Sequence, residues 1–175
     1  MGDGDVSGAI WAARPEGPFD LLMGIGAAPE GVISATAIRG LGGVFEGKLV
    51  FRSPEEESRA EKMVDDDLTG NAARLESVLV KGIEAIQAKH PDVVGHVTCK
   101  GLVAGVQMVK AGEKVPDPDL AHEVILRCFH RGLLFFAPVG AWGQTVKISP
   151  PLTITQEALE DGLQVLQEVV DEVCR

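Results

Sequence analysis

Three acidic residues and a glycine-rich loop near the N-terminus, together with one lysine far downstream, have types and spacings suited to chemistry. Gly24-Ile25-Gly26-Ala27-Ala28-Pro29-Glu30-Gly31 lies between an apolar run and a helical pattern. A strand that ends in such a loop and opens a helix aims backbone N–H groups at an anion. Gly24, Gly26 and Gly31 permit close approach, and Glu30 offers a carboxylate to a hard divalent cation. Asp3 and Asp5 flank Gly4, a spacing able to turn both carboxylates toward sugar hydroxyls or a metal. Most loops of this kind are only turns. No Gly-Lys-Ser/Thr ending marks a nucleotide loop, and Pro29 stands where the dinucleotide fingerprint needs its third glycine. Lys147 lies between Val146 and Ile148 on a short strand, so it points away from their face. It is either solvated or paired with a carboxylate in a cleft. His96, His122 and His130 are scattered, and Cys128 reads as core.

The elements that must hold these groups follow from punctuation and periodicity. Phe19–Met23 and Lys48–Arg52 read as short strands. Between them, residues 32–41 place Ile33, Ala37, Ile38 and Leu41 on one helical face, stopped by glycines. Ser53-Pro54-Glu55 starts a helix with a serine cap and an early proline. Asn71 is a candidate cap for a helix to Lys89, with Leu75, Leu79, Ile83 and Ile86 at helical spacing. The pattern then predicts a strand over 102–109, a helix capped by Asp119, strands over 133–137 and 145–148, and a closing helix capped by Thr155. That last helix carries Leu159, Leu163, Leu166, Val170 and Val173 as a core stripe.

Composition narrows the function classes. A net charge of −10 and a pI near 4.8 repel nucleic acid and anionic membrane surfaces. Residues 1–70 hold 13 of the 26 acids, including the runs 55–57 and 65–67, which read as solvated surface. Three widely spaced cysteines without a Cys-x-x-Cys pair suit a reducing cytoplasm. No apolar run approaches the roughly 18 residues of a membrane span, and no leader pattern opens the sequence. A cytoplasmic chain is expected.

Two resemblances join here. Gly2-Asp3-Gly4-Asp5-Val6-Ser7-Gly8-Ala9-Ile10 and Gly24 through Arg39 resemble class II fructose-1,6-bisphosphatases, a likeness running over residues 2 to about 67. It implies sugar contacts from Asp3, Gly4 and Asp5, a metal ligand at Glu30 for Mg²⁺ or Mn²⁺, and a sugar-phosphate ligand. Ala27 stands where the family usually has glycine, which crowds a backbone contact to substrate. In that family the other metal carboxylates, the catalytic threonine and the second-phosphate site precede the Asp-Gly-Asp segment. The expectation is therefore that phosphatase catalysis is absent.

Asn71-Ala72-Ala73-Arg74-Leu75, Lys100 through Val106, Arg131-Gly132-Leu133-Leu134 and Val146 through Thr155 resemble the C-terminal small domain of class III pyridoxal-phosphate aminotransferases. In many relatives an arginine matching Lys147 grips the substrate carboxylate, and lysine lacks its bidentate fork. The Schiff-base lysine and phosphate cradle belong to the family's large domain, so pyridoxal phosphate and transamination are not expected.

The reading is an α/β (α+β) chimera. Residues 1–70 form a partial α/β bisphosphatase-like fragment, and residues 71–175 a small two-layer α+β unit. No complete active site is expected, with residual sugar-phosphate or metal binding at most. The rival is an oligomerisation or binding module, because a small domain alone exposes apolar surface that invites a second copy.

Overall fold

A computed structural model describes residues 5–174, without the side chains of Asp5 and Ala28. The chain forms two compact units, Met1–Arg52 and Ser53–Arg175.

In the first unit, α1 (Asp5–Ala13) packs against α2 (Ala28–Gly40). Ala9 on α1 and Ser34 and Ile38 on α2 are buried. Pro29 occupies the first turn of α2, with Glu30 in that turn and Arg39 in the last, charges that complement the helix dipole. Of the expected apolar face only Ile38 is fully buried, while Ile33 and Leu41 are exposed. α1 was not expected from the pattern. Phe19–Met23 and Lys48–Arg52, expected as strands, are irregular. Met23 is 83% exposed and Val50 72%. A strand exists only as part of a ladder, and nothing among the described residues of this unit pairs with either run.

The second unit opens with α3 (Pro54–Asp65), capped as expected by Ser53, whose Oγ accepts from the Glu56 N–H at 3.3 Å. α3 buries no residue and packs on α4 (Leu68–Lys89). That helix begins before Asn71, at an N-cap Asp67 with φ 48°. Leu75, Leu79, Ile83 and Ile86 form its buried stripe. β1 (Val94–Lys100) and β2 (Val103–Met108) make an antiparallel hairpin. β1 escapes the sequence pattern because it is an edge strand with a register shift between Val94 and His96. A bulge of that kind breaks the two-residue alternation that reveals strands.

α5 (Pro118–His130) is capped by Asp117, whose Oδ1 accepts from the Leu120 N–H at 3.0 Å, and Asp119, the expected cap, lies two residues further on in the first turn. Leu133–Ala137 is not a strand. The Leu133 N–H returns to the Cys128 carbonyl at 2.9 Å across Gly132 at φ 83°, a helix-terminating turn that commits the amide needed for a ladder. β3 (Thr145–Ile148) pairs antiparallel with β2, giving the sheet order β1-β2-β3. α6 (Gln156–Val173) is capped by Thr155, whose Oγ1 accepts from the Ala158 N–H at 3.2 Å.

α4 lies on β1, α5 lies on β2 and β3, and α6 packs on both helices. One continuous apolar core joins them, from Leu79 and Ile83 through Val106, Met108 and Val124 to Leu166 and Val169. The unit is α+β in two layers, as the sequence implied. Among the described residues no helix is long and apolar enough to cross a membrane.

Candidate functional site

Asp3 and Gly4 lie outside the described residues, and Asp5 opens α1 without a described side chain. Ala27 is the N-cap residue of α2, with extended backbone (φ −73°, ψ 159°) and a carbonyl that accepts from the Gly31 N–H at 3.1 Å. Its conformation is open to any residue. Glu30 is exposed in the first turn of α2. Among the described residues no group of three His, Cys, Asp or Glu side chains is arranged to hold a metal. Hard divalent cations take about six oxygens or more, and Glu30 alone does not fit such an ion.

Lys147 occupies the middle of β3, opposite Gly105 of β2. Val146 and Ile148 are buried and Lys147 is half-buried on the other face, as the alternation predicted. Its ammonium lies 5.9 Å from the centroid of the Phe136 ring, a cation–π distance. Among the described residues no carboxylate pairs with it. Beside it opens a cleft of about 270 Å³, bounded by the Leu133–Phe136 segment, the end of β3 through Pro151, and the first turns of α6. The α6 wall is Ala158, Leu159, Gly162, Leu163 and Leu166. Ser149 and Lys147 supply the only polar side chains of the lining, and no acid is among them. Such a lining does not fit pyridoxal phosphate, whose chemistry needs an acid at the pyridinium nitrogen and a phosphate cradle.

The rim of this cleft is held from a distance. Asn71 Nδ2 donates to the carbonyls of Leu152 (2.8 Å) and Ile154 (3.0 Å). Asn71 is thus a clamp between the start of α4 and the turn after Pro150-Pro151, not a helix cap. Sequence reasoning marked Asn71 and misassigned it, because a cap and a clamp use the same amide. Gly162 and Phe136 were missed as lining. A glycine interrupting the Leu159–Leu163 stripe was the available signal.

Other charged groups lock the frame. Glu76 accepts from the Gly101 N–H at 2.9 Å and from Lys100 at 3.2 Å, which lowers its carboxyl pKa. Asp171 on α6 accepts from His90 Nε2 at 2.6 Å and Lys89 Nζ at 2.5 Å, and these contacts lower its pKa in that order. Burial pushes the Cys128 thiol up to about 11, which makes it an inert core sulfur.

The sequence model of the bacterial fructose-1,6-bisphosphatases, glpX-encoded, matches residues 1–114. D-fructose 1,6-bisphosphatase class 2/sedoheptulose 1,7-bisphosphatase of Synechocystis sp. is 38% identical over 133 residues, 76% of this chain and 34% of that protein. The 4-aminobutyrate aminotransferase of Mycobacterium leprae is 28% identical over 139 residues, 79% of this chain and 30% of its own length. Among solved structures, a phospholyase from Arthrobacter in complex with phosphoethanolamine superposes with a TM-score of 0.60 and 25% identity. It covers 80% of this chain and 28% of its own. The chain spans about a third of the length of these curated relatives. It joins likenesses to both families, and the two overlap in the middle of the sequence.

Proposed function

This chain belongs to the bacterial, glpX-encoded fructose-1,6-bisphosphatase family, and on that premise we propose that its 175 residues act as a binding and pairing module, not as a self-sufficient catalyst. Residues 1–70 are its bisphosphatase-derived part. Residues 71–175 are an aminotransferase-type small domain. The observation that carries this reading is the cleft beside Lys147: its walls are apolar, with one cation and no proton-transfer pair. An apolar pocket with one fixed charge binds and orients, whereas bond cleavage needs convergent acid, base or nucleophile.

In the first part, Asp3, Gly4, Asp5, Ala27 and Glu30 retain at most a contact to a sugar phosphate or its metal. In the second, Lys147 is the substrate-binding position. Pairing with a second copy is supported by large exposed side chains around the cleft segment: Leu134 (76%), Phe136 (67%) and Trp142 (71%). Single exposed apolar residues are ordinary, but three of this size within one short stretch of chain favour a contact surface.

The test uses the purified 175-residue chain. We expect no release of phosphate from fructose 1,6-bisphosphate with Mn²⁺, no amino transfer from 4-aminobutyrate with pyridoxal phosphate, and a light-scattering mass above that of one chain. Turnover of either substrate overturns the module reading. A monomer across the concentration range removes its pairing half.

A further inference from the structure

We propose that the outer edge of β1 pairs with the same edge of a second copy, antiparallel and two-fold, with Thr98 facing its own counterpart. The inference rests on the pairing half of the module reading and locates a contact for it. That contact is at the opposite edge of the sheet from β3, beside which Phe136 lies. The register fixes where each backbone group points. The Met108 N–H donates to the Gln144 carbonyl at 2.8 Å, so the even-numbered residues of β2 bond toward β3 and the odd-numbered ones toward β1. Their partners on β1 are His96, Thr98 and Lys100. The N–H and C=O groups of Val97 and Cys99 therefore point out of the sheet, and among the described residues no backbone group meets them. By the same alternation Thr145 points out of β3, but there Val139 takes both its N–H and its carbonyl at 2.9 Å.

The open stretch of β1 is short and bounded. Gln87 Nε2 donates to the Val94 and Gly95 carbonyls at 3.4 Å, and the Gly101 N–H donates to Glu76 at 2.9 Å. A longer strand laid here would bring its further groups against these occupied ones, whereas a second β1 ends where the first ends. With the two-fold axis at Thr98, Val97 of each copy bonds Cys99 of the other and every open group is used. Moving the axis to Val97 or to Cys99 leaves the other residue unpaired. The side chains agree with this register. Exposed Thr98 meets a second threonine, a favourable cross-strand pair, and Val97 and Cys99, partly buried against the core, cover each other. Lys100 comes opposite His96 of the second copy and is already paired with Glu76 at 3.2 Å, so no bare like charges meet.

The experiment measures the mass of the intact chain by light scattering across a dilution series, beside two cysteine variants. The unaltered chain should reach the mass of two copies. Val97→Pro removes only an outward N–H, which an edge strand tolerates, so circular dichroism should be unchanged and pairing weaker by roughly thirtyfold, the scale of two lost hydrogen bonds. In a Cys99→Ala background, Thr98→Cys should form an intermolecular disulfide under mild oxidation. Lys100→Cys should not, because its two copies stand about 13 Å apart along the paired strands, beyond disulfide reach. Should Val97→Pro misfold, the two cysteine variants still decide. A pair that persists in folded Val97→Pro, or equal cross-linking at positions 98 and 100, overturns the inference and leaves the pairing reading to the Leu134, Phe136 and Trp142 surface. A monomer at every concentration removes both. Phosphate release from fructose 1,6-bisphosphate removes the module reading and leaves the cross-linking result intact.

Discussion

Asp171 shows how one carboxylate ties two helix ends together. It sits near the C-terminus of α6 and accepts from His90 and Lys89 at the end of α4. Both donors favour the charged form, so its folded-state pKa lies below the ordinary carboxylate value. A depressed carboxylate contributes stability above its unfolded pKa and loses it as pH falls through the folded one. Asp171→Asn should therefore lower stability at neutral pH, and the gap to the unaltered chain should close in acid. Urea unfolding at the two pH values reads this directly. A gap that persists in acid means the loss is packing and not charge. The same sign applies to Glu76, held low first by the Gly101 N–H and then by Lys100.

The β1–β2 hairpin carries the scale of single elements. Its two-residue connection has Gly101 in the first central position at φ 57°, the left-handed region that a type II′ turn requires there. Gly101→Ala keeps the Glu76 bond and adds left-handed strain, so a loss of about 1–2 kcal/mol is expected by thermal or chemical unfolding. No loss would mean that the turn relaxes to another type. Helix α4 gives the contrasting case. Leu79 is fully buried in the continuous core, and Leu79→Ala should cost about 2–5 kcal/mol through transfer and cavity. A smaller change would show that the helices collapse onto the void. The α4 stripe was readable in advance because four buried residues repeat at helical spacing. β1 was not, because its bulge and exposed face erase the alternation. The strands expected at residues 19–23, 48–52 and 133–137 failed together. An apolar run states that burial is favourable, not which neighbour will supply the ladder.

Across the whole molecule the two units differ in kind. Ser53–Arg175 encloses one core shared by three helices and a three-stranded sheet, enough surface to stabilise itself. The described residues of Met1–Arg52 form two helices and bury few side chains, and Phe19, Leu22, Phe45 and Leu49 remain exposed. Limited proteolysis should therefore cut first within residues 14–52 and leave a fragment from about Ser53 onward. Initial cleavage inside α4 or α6 would contradict this ordering of local stability.

Residue types and spacings alone determined the helices of the second unit, the outward direction of Lys147 and the likeness to two enzyme families. Those properties depend on neighbours close in the chain, where periodicity and short motifs are complete statements. Two things came only from the folded chain: the conversion of Asn71 from cap to clamp, and the apolar cleft beside Lys147. Each depends on residues separated by tens of positions, Asn71 from Leu152 among them. Local sequence constrains such distances only through the packing that closes them.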